Sequence, residues 1–275
     1  MHDAIKQPAP QAIARAVAQV LERNSIAVLA TLVEGSADVG AKLLIAEAGE
    51  RTGSLGESFL DEAVASYAGT FLNSRAEART FKLEELIREE QAQADARILF
   101  ERIEPEPRLV ICGAGHVGAA LARLARTLGY RTTLIDDRAD FVKRERFSDE
   151  GIELIVAANW TDAVRTSIGA GRGVAVAVVT RGHNEDEECM RAVMAARPDY
   201  IGLIGSKRRT NIVLERLRES GVDEKYLREV RAPVGLDIGA VTPQEVALSI
   251  LAEIVMERRG GTGAPLSDWR RKGRG

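Results

Sequence analysis

The sequence predicts an α/β chain in which a small α+β unit precedes a parallel sheet with helices on both faces. Three observations predict it. After residue 107, short runs of Val, Ile, Leu and Ala, as in VAVAVV, alternate with helix-length amphipathic stretches. Near-continuous apolar strands of that kind are buried on both faces of a parallel sheet. Second, EPEP at Glu104–Pro107 divides the chain, its prolines removing backbone donors and biasing their predecessors to extended geometry. Third, the first strand after this linker runs into Gly113, Gly115 and Gly118, the order found in a strand-to-helix phosphate turn. Residues 1–104 are therefore read as a small α+β domain and 105–259 as a Rossmann-like domain. Residues 260–275 read as a basic, glycine-rich tail without fixed structure.

Each half of the 275 residues is long enough to bury its own core. A balance of 38 Lys and Arg against 41 Asp and Glu, net −3, gives no bias toward nucleic acid or an anionic membrane. The longest apolar runs are strand-length, and MHDAIKQPAP lacks the basic-then-apolar pattern of a secretory signal. A soluble, cytoplasmic protein is the expectation. Cys112 and Cys189 form no C-x-x-C pair, so no disulfide framework is expected, and Cys112 reads as a small core residue.

In the first half, Ile13, Val17, Val20 and Leu21 give helical periodicity over residues 10–23. Ser25–Val33 and Ala41–Glu47 read as strands joined by the turn EGSADVG. GERTGSLGE reads as a second glycine-rich turn, leading into a helix over Glu57–Leu72. A charged helix is expected over Leu83–Ala96 and a strand over Arg97–Ile103. In the second half, strands are predicted at Leu109–Cys112, Arg131–Asp136, Ile152–Ala157, Val174–Thr180 and Tyr200–Ile204. Helices are predicted at 117–128, 161–168, 185–196 and 206–219. A last helix starts in VTPQEVA, where Thr242 can cap, Pro243 fits the first position and Glu245 completes a capping box.

Gly113 permits the tight turn, Gly115 lets backbone approach a pyrophosphate, and Gly118 lets the helix pack close to the strand. The helix start offers free N–H groups and a positive dipole end to an anion. Asp136 or Asp137, about twenty residues on, stands where ribose hydroxyls are held, and Arg138 beside them keeps a 2′-phosphate open as a reading.

Ligands of open parallel sheets sit beyond the carboxyl ends of the strands. The fourth strand ends in TRGHNEDEE, placing Thr180, His183 and Asp186 there, and the fifth in IGSKRR, with Gly205, Ser206 and Lys207. Ser206 can cap a helix whose first turn carries Lys207, Arg208 and Arg209. Basic residues there oppose the dipole, so a bound anion would account for them; three solvated residues are the alternative. In PVGLDIGAVTP, Gly235, Asp237 and Gly239 mark close backbone approach to a ligand or another strand. His116 and His183 are expected on two loops sharing this face, for acid–base work, a hydrogen bond or metal ligation. No third ligand stands at helpful spacing, so no metal site is expected.

RLVICGAGHVG, LIDDRADF, VVTRGHNEDEECM, YIGLIGSKRR and PVGLDIGAVTPQEVALSILAEI occur in order over residues 97–258. Together they resemble the xanthine dehydrogenase accessory proteins of the XdhC/CoxI type. In the first half, IAVLATLVEGSADVGAKLLI and GSLGESFLDEAV are a weaker match. Glu57 and Ser58 stand where the family commonly has glycine, and Phe59 where some members have cysteine. The resemblance implies binding of molybdenum cofactor and its delivery, often sulfurated, to an apo molybdenum hydroxylase, with a cysteine desulfurase as a further partner; for a two-domain chain of this kind a homodimer is the expected assembly. Two other readings stay open: an NAD(P)-dependent oxidoreductase, and a nucleotide-sensing regulatory module. No nucleophile–base pair is recognisable, so no catalytic residue is assigned and a non-catalytic chaperone is expected.

Overall fold

The computed structural model describes residues 10–35, 38–74, 76–86, 96–147 and 151–267. The chain divides into two compact units, Met1–Pro105 and Glu106–Gly275.

The first unit is an antiparallel sheet ordered β3-β2-β1-β5-β4. Its strands are β1 (Ala27–Glu34), β2 (Lys42–Ala46), β3 (Arg51–Ser54), β4 (Ala78–Lys82) and β5 (Arg97–Ile103). Alternation decides what covers each face. Val28, Ala30 and Leu32 of β1 pack with Leu60, Val64 and Phe71 of helix α2 (Ser58–Asn73). Ala27 and Leu29 turn the other way, toward Ile13 and Val20 of α1 (Pro10–Glu22). Phe71, Phe81, Phe100 and Tyr67 meet edge to face, with centroids 5.0–6.3 Å apart.

Two expectations change here. GERTGSLGE is not all turn, because Arg51–Ser54 pairs with β2 over Ile45↔Arg51 to Lys42↔Ser54. A further strand, β4, precedes a short helix α3 (Leu83–Leu86); residues 87–95 of the helix expected to Ala96 lie outside the described residues, and Ala96 itself is not helical, its carbonyl accepting from Leu83 N–H.

The second unit is a five-stranded parallel sheet ordered β10-β9-β6-β7-β8. Its strands are β6 (Arg108–Cys112), β7 (Arg131–Asp136), β8 (Ile152–Val156), β9 (Val174–Val178) and β10 (Tyr200–Leu203). Leu109 and Ile111 of β6 face α4 (His116–Thr127) and α9 (Pro243–Arg259), packing with Leu121, Ile250 and Ile254. Val110 and Cys112 face the other layer, formed by α5 (Trp160–Ile168), α6 (His183–Ala196) and α7 (Lys207–Glu219). Every residue of β9 is buried, as its unbroken apolar run requires. Each such Val or Ile contributes about 1.5–3 kcal/mol relative to exposure. Cys112 and Cys189 are buried free thiols, and burial pushes the Cys189 thiol up.

After a one-turn helix α8 (Glu224–Leu227), the chain runs beside β10. Arg231 forms a parallel bridge to Gly202, and Val234 N–H donates to the Leu203 carbonyl. α9 carries its capping box, Thr242 accepting from Glu245 N–H and Glu245 accepting from Thr242 N–H. Residues 268–275 of the basic tail lie outside the described set. No helix among the described residues is long and apolar enough to cross a membrane.

Candidate functional site

β6 is the first strand of its sheet, β7 and β8 lie to one side of it and β9 and β10 to the other, so the switch point falls between β6 and β9. The site residues singled out in this unit end or follow β6, β7, β9 and β10, Asp136 being the last residue of β7, or follow the segment running parallel to β10.

At the glycine turn, Gly113 has φ +116°, and an added Cβ would lie 2.5 Å from the Val179 carbonyl oxygen. A Cβ on Gly118 would lie 1.8 Å from the Gly113 carbonyl oxygen, so α4 starts directly against the turn. Gly115 caps α4 without a side-chain hydrogen bond and faces open space. His116 is the first residue of α4 and His183 the first of α6; neither lies on the loop that was expected. Gly182 likewise caps α6 with no side-chain hydrogen bond. Two helix starts on neighbouring strands thus leave first-turn N–H groups for a ligand.

The polar residues fall into two sets. One set is spent internally. Asp136, 1% exposed, accepts from Ala114 N–H at 2.7 Å and from Arg138 through N–H (3.0 Å), Nε (2.8 Å) and Nη2 (2.9 Å). Burial pushes this carboxyl up, but those hydrogen bonds outweigh it and hold it below the usual carboxylate range. Asp137 takes both ends of the Arg181 guanidinium, at 3.0 and 2.9 Å. Asp186 is fully buried, with the Thr180 hydroxyl at 2.5 Å and Arg209 Nε at 2.8 Å. The anion that explains Arg209 in the first turn of α7 is therefore this carboxylate. Ser206 caps α7 by accepting from Arg209 N–H, with Gly205 in the turn before it. Gly235 N–H donates to Glu253 Oε2 at 2.9 Å, the same oxygen that accepts from Tyr200 OH at 2.6 Å.

The other set is unspent. His116, His183, Lys207, Arg208 and Asp237 are exposed and make no hydrogen bond or ion pair with any described residue. Gly239 beside Asp237 also faces open space. Among the described residues, no group of three His, Cys, Asp or Glu could hold a metal ion.

The sequence reading missed Arg181, Glu253 and Tyr200, and the pairing of Arg209 with Asp186. For Glu253 a signal existed, since it falls in the buried stripe of Ala247, Ile250 and Ile254 on α9. For Arg181, 44 residues from Asp137, none did.

Asp136 gives a pH prediction. Its folded pKa lies below its unfolded one, so the stability it contributes is complete above the unfolded value, about 3.9. That contribution is lost as pH falls through the folded value. Urea midpoints of the wild type should therefore drop more steeply than those of Asp136→Asn between pH 5 and pH 2. Parallel curves would remove Asp136 from the acid response.

The family model described as XdhC Rossmann domain matches residues 109–254, and that described as XdhC and CoxI family matches residues 20–82. A Bacillus subtilis (strain 168) protein described as a probable xanthine dehydrogenase subunit is 32% identical over 162 residues, covering 59% of this chain and 46% of its own length. The molybdenum cofactor insertion chaperone PaoD of Escherichia coli (strain K12) is 27% identical over 154 residues, 56% of this chain and 41% of its own. The chain thus spans less than half of either curated relative. A crystal structure described as a xanthine dehydrogenase from Bacillus halodurans shares the fold, with TM-score 0.65 over 90% of this chain and 66% of that one, at 22% identity.

Proposed function

The chain belongs to the XdhC and CoxI family, and on that premise we propose that it binds molybdenum cofactor as cargo at the β6–β9–β10 edge and hands it to a xanthine dehydrogenase-like molybdenum hydroxylase. The observation that carries this is the unspent set: His116, His183, Lys207, Arg208 and Asp237 gather at one sheet edge beside two glycine-capped helix starts. Such an edge matches a phosphorylated pterin. Lys207, Arg208 and the first-turn N–H groups of α4 and α6 hold the phosphate. The imidazoles and the Asp237 carboxylate meet the donors and acceptors of the heterocycle. Delivery in sulfurated form, with a cysteine desulfurase as sulfur source, belongs to the same reading, as does a homodimer.

The role is binding and release rather than turnover, and that is testable. The purified chain titrated with isolated molybdenum cofactor should bind it saturably. His183→Ala and Asp237→Ala should each weaken binding about tenfold, the worth of one charge-assisted hydrogen bond. Both side chains are exposed and make no hydrogen bond with a described residue, so thermal unfolding should move little, His183 giving up only its electrostatic effect on the Asp186 carboxyl. Unchanged affinity in both variants would place the cargo elsewhere.

A further inference from the structure

We propose that Arg138 and Arg181 set which ligands the glycine turn admits, closing it to nicotinamide dinucleotides by occupying the carboxylates that would take a nucleotide's ribose hydroxyls. The inference rests on the reading of the β6–β9 edge as the ligand site and narrows it. In a sheet of this order, a dinucleotide lays its pyrophosphate over the first glycine turn and its ribose on the acid ending the next strand. Here that acid has no capacity left. A carboxylate offers about four acceptor positions. Those of Asp136 take Ala114 N–H and three donors from Arg138, at 2.7–3.0 Å.

Arg138 is also held from its other side, its guanidinium carbon 3.5 Å from the centroid of the Phe141 ring. Asp137, the alternative acid, meets Arg181 in a two-pronged pair at 3.0 and 2.9 Å. Topology gives that pair its consequence. β6 lies between β9 and β7. A bridge from Arg181, after β9, to Asp137, after β7, therefore crosses the end of β6, where the glycine turn sits. Glu185 steadies the crossing with a further ion pair to Arg181 at 3.2 Å.

A ribose hydroxyl entering this groove would replace pairs charged on both sides by hydrogen bonds in which only the carboxylate is charged, and would leave the displaced guanidinium without its anion. A ligand that presents a phosphate to the helix starts and needs no diol held by β7 pays nothing of the kind. The admitted class is thus a phosphorylated heterocycle whose recognition does not run through a ribose at Asp136 or Asp137.

The test is titration of the full chain with NADH and NADPH, using wild type, Arg181→Ala, Arg138→Leu and the double variant. Wild type should bind both weakly and alike, and the double variant should bind NADH at least tenfold more tightly. Arg181 is about half exposed and should leave folding intact, so Arg181→Ala, expected to gain severalfold, keeps the test open if Arg138→Leu melts early. Wild type binding NADH as tightly as the variants would overturn the proposal. So would the absence of any gain, or a wild-type preference for NADPH lost in Arg138→Leu, which would make Arg138 a 2′-phosphate reader. A parallel titration with isolated molybdenum cofactor reports separately on the cargo. If cofactor binding fails while NADH binding is gained, the cargo reading falls and the closure stands; the reverse pattern sinks only the closure.

Discussion

Gly118→Ala should cost the parallel-sheet unit at least about 3 kcal/mol, a large share of the marginal stability of a domain. The added Cβ would sit 1.8 Å from the Gly113 carbonyl oxygen and 3.0 Å from its carbon, and backbone atoms cannot rotate away as a side chain would. Relief requires α4 to lift from the turn, and that would open the packing of Leu121, Ala122 and Ala125 against the α9 side of the core. Gly113→Ala should be comparably damaging, because its φ of +116° strains any L side chain and Val179 O lies 2.5 Å from the added carbon. Gly115→Ala is the discriminating partner. Its φ is −64° and nothing lies within 4 Å of the built Cβ. Its urea midpoint should stay within about 0.5 kcal/mol of wild type, while cofactor affinity falls if a ligand approaches that backbone. Equal loss of stability in all three would mean that the turn is packed differently.

Gly113 and Gly118 were readable because their roles are local: a turn and a helix contact lie within one strand–turn–helix unit. The parallel sheet was readable for a related reason, since burial on both faces leaves its mark within each strand, as in the five buried residues of β9. β4 leaves no such mark, having only Phe81 buried among ARTFK. β3 was misread because Gly53 signals a turn in isolation. In the sheet, its missing side chain is what lets β2 approach, a Cβ there falling 2.2 Å from the Lys42 carbonyl oxygen. At the candidate site, the sequence placed these residues at the strand ends where the structure has them, but not their division into spent and unspent. That division depends on pairs such as Arg181 with Asp137 and Arg209 with Asp186, 44 and 23 residues apart, which exist only once the strand order is fixed. A motif can report that an acid stands at the right distance, but not that an arginine has already taken it.

Arg209→Ala should destabilise the second unit by about 3 kcal/mol, toward the lower end for breaking a buried ion pair, since Arg209 keeps 24% of its side chain exposed. The loss comes less from the pair than from what remains. Asp186 is fully buried, and without the guanidinium its charge would keep only the Thr180 hydroxyl and the electrostatic effect of the exposed His183 imidazole. Already in the intact chain, burial holds the Asp186 carboxyl above its usual range despite hydrogen bonds from Thr180 and Arg209. A raised folded pKa means that the contribution of this group is complete below the unfolded value and is lost as pH rises through the folded one. Removing the cation moves the folded value further up, so the deficit of Arg209→Ala should be large at pH 7 and shrink as pH is lowered toward 5. Replacing both partners by apolar residues of similar size, Asp186→Leu with Arg209→Met, should recover most of the loss, because no buried charge is left unpaired. Urea midpoints at the two pH values separate the cases. A deficit that ignores pH, or a double variant no better than the single one, would show that Asp186 is not the carboxylate Arg209 serves. The cofactor titration should move as well. Asp186 lies in the first turn of α6, which opens with His183, so under the proposed function loosening that turn should weaken cofactor binding through the imidazole, although Arg209 itself is no part of the proposed contact set.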